Sequence, residues 1–197
     1  QPINGLGLRE YKYSTDMAVN PHTYADTNHQ WYTDTTTGTD KIEPHGVGSI
    51  WCVMLWDLAW NYIDKYGYDN DKNAGPCGNN KVMQLVIDAL KLTPANPSFI
   101  QCRSAILVAD QATTGGDNFS LIWSTFAIRG LGVGASAGNN GTSGAVNGLQ
   151  DQITDFTDPP PGSHIDDTIK VYPTPSNAHI NILIHPLHGI RNVQVFD

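Results

Sequence analysis

Between Glu43 and Gly67 the chain runs EPHGVGSIWCVMLWDLAWNYIDKYG, and from Ile50 to Tyr66 only Asp57, Asp64 and Lys65 carry charge. A run this long and this rich in tryptophan is a helix rather than a strand, and its polar end separates it from a membrane span. It predicts a buried helix, apolar on more than one face, that opens on His45 in a Gly-punctuated turn. Three more helices follow. Over 80–92, Val82, Leu85, Val86, Ala89 and Leu90 form the inner stripe, and Lys81, Gln84, Asp88 and Lys91 the wet face. The third is predicted from an Asn96 N-cap and Pro97 in the first turn to about Asp110, with Phe99, Cys102, Ile106 and Ala109 inside. The fourth runs from about Asp117 to Gly130, with Phe119, Ile122, Trp123, Phe126 and Ala127 at helical spacing. Arg129 at its end suits the negative pole of the helix dipole.

Outside these four segments the pattern is different. Residues 1–44 keep no period and are rich in Thr, Asn, Asp and Tyr, which predicts loops and short turns draped over the helices. From Leu131 to Gly148 the chain is rich in Gly, Ser, Asn and Ala, and Thr154–Ser163 is a Pro-rich spacer. Segments 169–173, 179–185 and 192–196 alternate apolar and polar residues as half-buried strands do. The fold expected is mainly α. A helical lobe with an irregular N-terminal wrap over 1–135 is followed by a Pro/Gly-rich linker over 136–165 and a truncated β-module over 166–197.

Length and charge narrow the possibilities. The 197 residues have room for one good core and a small second module, and 40% hydrophobic content marks a globular chain. A formal net charge of -8, with no Lys/Arg cluster, argues against a nucleic-acid surface. No stretch reads as a signal peptide or a membrane-spanning segment. Gln1 in place of Met predicts that the chain begins inside a longer protein. Cys52, Cys77 and Cys102 form no CxxC pair. Cys52 and Cys102 fall in apolar helical patterns, where a thiol packs as a small hydrophobe, so no bound metal is expected of them.

The chemistry offered by motifs is sparse. HExxH, zinc spacing of Cys and His, GxSxG and a phosphate-binding glycine loop are all missing from the sequence. His22, Asp26 and His29 lie close in sequence as possible metal ligands, without helical spacing or a fourth donor. Asp69, Asp71 and Asn73 imitate the first half of a calcium loop, but Asn80 stands where a bidentate Glu belongs. His45 is placed differently. At the mouth of a buried helix, after Asp40 and Glu43, it can be oriented by a carboxylate and donate a hydrogen bond into a cleft.

These residues also carry a resemblance. PHGVGSIWCVMLWDLAW, with GLREYKYSTDMAVNPHTYAD before it and NNKVMQLVIDALKLTPANPSFIQCRSAILVAD and NFSLIWSTFAIRGLGV after it, resembles the fungalysin metallopeptidases in the right order over about 5–135. These are secreted, zinc-dependent relatives of thermolysin, and the stretch is similar to their C-terminal helical lobe. The resemblance implies zinc held by an HExxH pair and a further Glu, all upstream of Gln1. It implies His45 as the donor to the oxyanion and Asp40 as the carboxylate orienting its ring, with Glu43 as the competing candidate. Arg9 would bind the substrate carbonyl on the leaving-group side, and Leu8 would wall the adjoining pocket. In the tail, VYPTPSNAHINILI resembles the start of a Bacteroidetes-type C-terminal secretion sorting domain.

The reading that follows is part of a secreted zinc metalloendopeptidase acting on polypeptide substrates together with the N-terminal catalytic half of the same protein. The lobe alone is expected to be inactive. Two other readings stand beside it: a non-catalytic peptide- or surface-binding helical module, and a folding unit in which His45 has no chemical part. Calcium is a further possible cofactor.

Overall fold

Glu43 starts the central helix. Its carboxylate accepts the His45 amide N–H at 2.8 Å, and Pro44 occupies the first helical position, where its missing N–H costs nothing. Helix α1 therefore runs Pro44–Tyr66, and Gly67, at φ 79°, ends it. His45 lies inside the first turn of α1 and not in a turn before it, because the Glu43 cap draws the helix start back to Pro44. The structure is a computed structural model that describes residues 9–73, 75–138 and 150–163.

Helices α2 (Gly78–Leu92), α3 (Phe99–Thr114) and α4 (Phe119–Ile128) follow. About half of the described residues are helical, in keeping with a mainly α lobe. α3 starts later than its sequence suggests, because Ser98 outcompetes Asn96 as N-cap. Ser98 Oγ accepts from the Gln101 N–H (3.2 Å), and Gln101 Oε1 accepts from the Ser98 N–H (2.9 Å). α1 packs on α2 and α4, and α3 packs on the same two helices. Ile50, Met54 and Leu58 of α1, Val82 and Leu85 of α2, Ile106 of α3, and Ile122 and Phe126 of α4 form one buried cluster. Where α2 crosses α1, a Cβ on Gly78 would lie 2.1 Å from the Tyr62 carbonyl oxygen, so only glycine allows this approach.

Some side chains depart from the expected pattern. Leu90 is exposed beside Met83 and Ile87, since α2 is covered by α1 and α3 on one side only. Cys52 sits on the solvent side of α1, whereas Cys102 is partly buried and its thiol is pushed up to about 11 by that burial. Arg129 is more than an end-of-helix charge. It is fully buried and spends all five N–H groups: on both Asp57 carboxylate oxygens (2.7 and 3.3 Å) and on the carbonyls of Ser14, Asn20 and His22. That fork ties α4, α1 and the N-terminal wrap together.

The wrap holds a short 3₁₀ helix, Tyr24–His29, and a hairpin of β1 (Trp31–Thr33) and β2 (Asp40–Ile42) with Trp31 opposite Ile42. Strands of three residues are too short to leave a period in the sequence, which is why the hairpin was not expected. The Glu43 N–H donates to the Gln30 carbonyl (2.9 Å) and fixes the hairpin base to the start of α1.

Within the stretch assigned to the linker, residues 150–158 fold back on the lobe. Ile153 and Ser136 exchange backbone hydrogen bonds, Gly132 donates to the Asp155 carbonyl, and Ser124 Oγ donates to Asp158. The segments at 169–173, 179–185 and 192–196, and with them the β-module, lie outside the described residues. Among the described residues, no helix is long and apolar enough to cross a membrane.

Candidate functional site

The Glu43 cap, the hairpin base and the Arg129 fork bring two distant parts of the chain to the mouth of α1. Arg9, Glu10, His22 and Gln30 from the wrap meet Glu43, His45, Gly46 and Ser49 around a pocket of about 190 Å³. That is more space than a dry engineered cavity that admits benzene, so it suits a side chain or a short piece of backbone. The Gln30 side chain packs on Gly46, its Oε1 1.6 Å from where a Cβ would stand, so a larger residue there would displace it.

His45 is exposed and lines this pocket, and Arg9 Nη1 donates to the His45 backbone carbonyl at 2.5 Å. Arg9 and the first turn of α1 therefore meet at this pocket through the His45 backbone. The two carboxylates considered as partners of the ring are engaged elsewhere. Asp40 accepts from Thr33 Oγ1 across the hairpin (2.7 Å), and Glu43 accepts from the His45 backbone. Glu43 lines the pocket and Asp40 does not. Leu8 lies outside the described residues.

Four side chains at the pocket were not singled out from the sequence as members of this site. Ser49 stands four residues after His45 in α1, one turn along the same face, a signal that helical spacing could have supplied. Glu10 adjoins Arg9. His22 and Gln30 arrive only through the tertiary path of the wrap. His22 is 5% exposed, its Nε2 lies 3.4 Å from Glu10 Oε2, and Tyr11 meets its ring edge-on at 4.8 Å. Glu10 also pushes the Tyr11 phenol up.

The metal candidates do not converge. His22 faces Glu10, Asp26 closes the cap of the 3₁₀ helix by accepting from the Thr23 N–H and Oγ1–H, and His29 is exposed. In the Asp69 loop, Asp69 Oδ1 accepts the Asp71 N–H and Asp71 Oδ1 accepts the Asn73 N–H, each at 2.9 Å. Among the described residues, no group of three or more His, Cys, Asp or Glu side chains is placed to hold a metal ion. These residues therefore do not fit a zinc site of their own.

Comparison with known proteins bears on the same stretch. The profile of the fungalysin metallopeptidases (M36) matches residues 2–135. Extracellular metalloproteinase 10 of Coccidioides posadasii is 42% identical over 152 residues, covering 72% of this chain and 22% of its own length. Extracellular metalloproteinase mep of Aspergillus flavus is 43% identical over 152 residues (72% and 21%). Extracellular metalloproteinase NpIII of Aspergillus oryzae is 42% identical over 155 residues (73% and 22%). The chain thus spans about a fifth of the length of the curated relatives it matches.

Proposed function

The chain belongs to the fungalysin metallopeptidase family (M36), and from that premise we propose that it is the substrate-facing helical wall of a secreted metalloendopeptidase. The observation that carries this reading is the pairing of Arg9 with His45 on one pocket wall. The relatives' names, extracellular metalloproteinases, support peptide-bond hydrolysis outside the cell. The metal, zinc in this reading, belongs to an upstream part of the protein and supplies the activated water.

What this chain contributes is charge stabilisation and positioning. When an amide carbonyl is attacked, negative charge gathers on its oxygen. His45, held in the first turn of α1 at the pocket edge, donates a hydrogen bond to that oxygen. Such a donor helps the transition state more than the ground state, because the carbonyl oxygen becomes anionic only as the bond forms. Arg9 binds the substrate carbonyl on the leaving-group side, and its bond to the His45 carbonyl keeps the two donors in fixed register. For Leu8, the family likeness alone implies a part in the adjoining side-chain pocket. Asp40 is kept as the ring's orienting carboxylate only if the hairpin releases it from Thr33, and Glu43 is the nearer choice.

The tail's likeness to a sorting domain adds support for export. The test is a peptidase assay on the full-length protein with zinc removed by a chelator and then restored. Activity lost and regained supports the reading. A full-length protein that cleaves no peptide favours the binding-module alternative.

A further inference from the structure

Two residues that line this pocket each carry a buried polar atom with no hydrogen-bond partner in the fold. His22 Nδ1 and Ser49 Oγ are buried and without a hydrogen-bond partner, in residues that are 5% and 2% exposed, and both residues line the pocket. Native structures rarely bury such groups unpaired, and those that do commonly place them where a ligand completes the bonds. The chemistry of the two atoms restricts what can complete them. Where Nε2 donates to Glu10, 3.4 Å away, Nδ1 of the neutral ring is a lone-pair acceptor. The Ser49 hydroxyl is free to donate or accept.

The surrounding charges narrow the choice further. Arg9 disfavours an ammonium group here, while Glu10 and Glu43 disfavour a carboxylate. A neutral group that both donates and accepts satisfies both atoms: a carboxamide N–H to His22 Nδ1 with its oxygen on the Ser49 hydroxyl, or one hydroxyl serving both. We propose that His22 and Ser49 form a polar subsite that selects substrates with Ser, Thr, Asn or Gln at one position on the leaving-group side of the scissile bond. This rests on the peptidase reading above, through Arg9, whose place in the same pocket puts the subsite on the leaving-group side.

The experiment uses the full-length peptidase and paired peptides that differ at one leaving-group-side position in turn, Thr against Val and Asn against Leu. The expected result is one position at which the polar member has kcat/KM higher by about tenfold, the size of one buried polar pair left unmet. Ser49→Ala and His22→Gln should bring that ratio close to one, whereas His22→Asn, which keeps an acceptor near the Nδ1 position, should retain part of it. If His22→Gln does not fold, Ser49→Ala, which removes one atom, decides alone. Equal rates for the paired peptides at every position, or a ratio unchanged in Ser49→Ala, would overturn the subsite and leave the peptidase reading intact. A full-length protein that cleaves none of the peptides overturns both.

Discussion

Arg9 Nη1 donates to the backbone carbonyl of His45 across 36 residues of sequence. The bond joins the N-terminal wrap to the first turn of α1 and holds a permanent cation at the pocket that both residues line. It sits at the surface, where a hydrogen bond adds little to overall stability but fixes local geometry.

Arg9→Ala should therefore separate function from folding. In the full-length peptidase we expect kcat/KM to fall by roughly ten- to a hundredfold through loss of carbonyl binding, while Tm moves by no more than about 3 °C. Arg9→Lys should recover only part of the loss, because a point charge cannot hold the His45 carbonyl and a substrate carbonyl with a fork. Steady-state kinetics and a thermal melt on the same samples check both halves.

Arg129 carries the opposite expectation. Its guanidinium is fully buried and pairs with Asp57, while three wrap carbonyls depend on it. Burial pushes the Asp57 carboxyl up and the Arg129 bonds pull it back. Arg129→Met should cost about 3–5 kcal/mol, because it strands a carboxylate and three carbonyls away from water. Adding Asp57→Leu should restore part of that loss. Chemical denaturation of the single and double variants measures it.

Arg129 also marks the limit of what the sequence made legible. Its position before Gly130 identified a helix end correctly, and the four helices followed from apolar spacing strong enough to survive any tertiary arrangement. The partner, Asp57, is 72 residues away, and nothing local in the chain announces a long-range ion pair. The same holds in the pocket. Arg9 and His45 were singled out through family likeness, and Ser49 could have been through helical spacing, but His22 and Gln30 reach it by the path of an aperiodic wrap. Asp40 was placed by its distance along the chain from His45, and a hairpin too short to show a period turns it toward Thr33.

Gly78→Ala should be far more damaging than an ordinary glycine replacement in a helix. The added Cβ would stand 2.1 Å from the Tyr62 oxygen and 2.5 Å from the Ile63 nitrogen, backbone atoms that cannot rotate away. Separating α1 from α2 should cost about 1–3 kcal/mol or more, against the gain of a few tenths that alanine brings to an unobstructed helical site. Gly48→Ala in α1, where a Cβ meets nothing within 4 Å, serves as the control and should be neutral or slightly stabilising. Thermal melts of the two variants side by side give the comparison.

Asp155 sets a pH limit on the folded-back tail. The Thr157 hydroxyl and then the Gly134 N–H hold its carboxyl below the ordinary value of 3.8. A depressed folded pKa stabilises the fold above the unfolded value, and that contribution disappears as pH falls through the folded one. Amide exchange followed by NMR should show protection at Gly134 down to about pH 4 and its loss at lower pH, ahead of global unfolding. Asp155→Asn should reproduce part of that loss at neutral pH.

The most direct measurement is the turnover of full-length enzyme carrying His45→Ala. The ring is exposed at the pocket edge and its removal leaves the Glu43 cap on the backbone intact, so folding should be preserved. Loss of one donor to a developing oxyanion predicts kcat lower by roughly a hundredfold with KM little changed. Undiminished kcat in a variant with an unaltered melt would contradict the assignment of His45 to the reacting carbonyl.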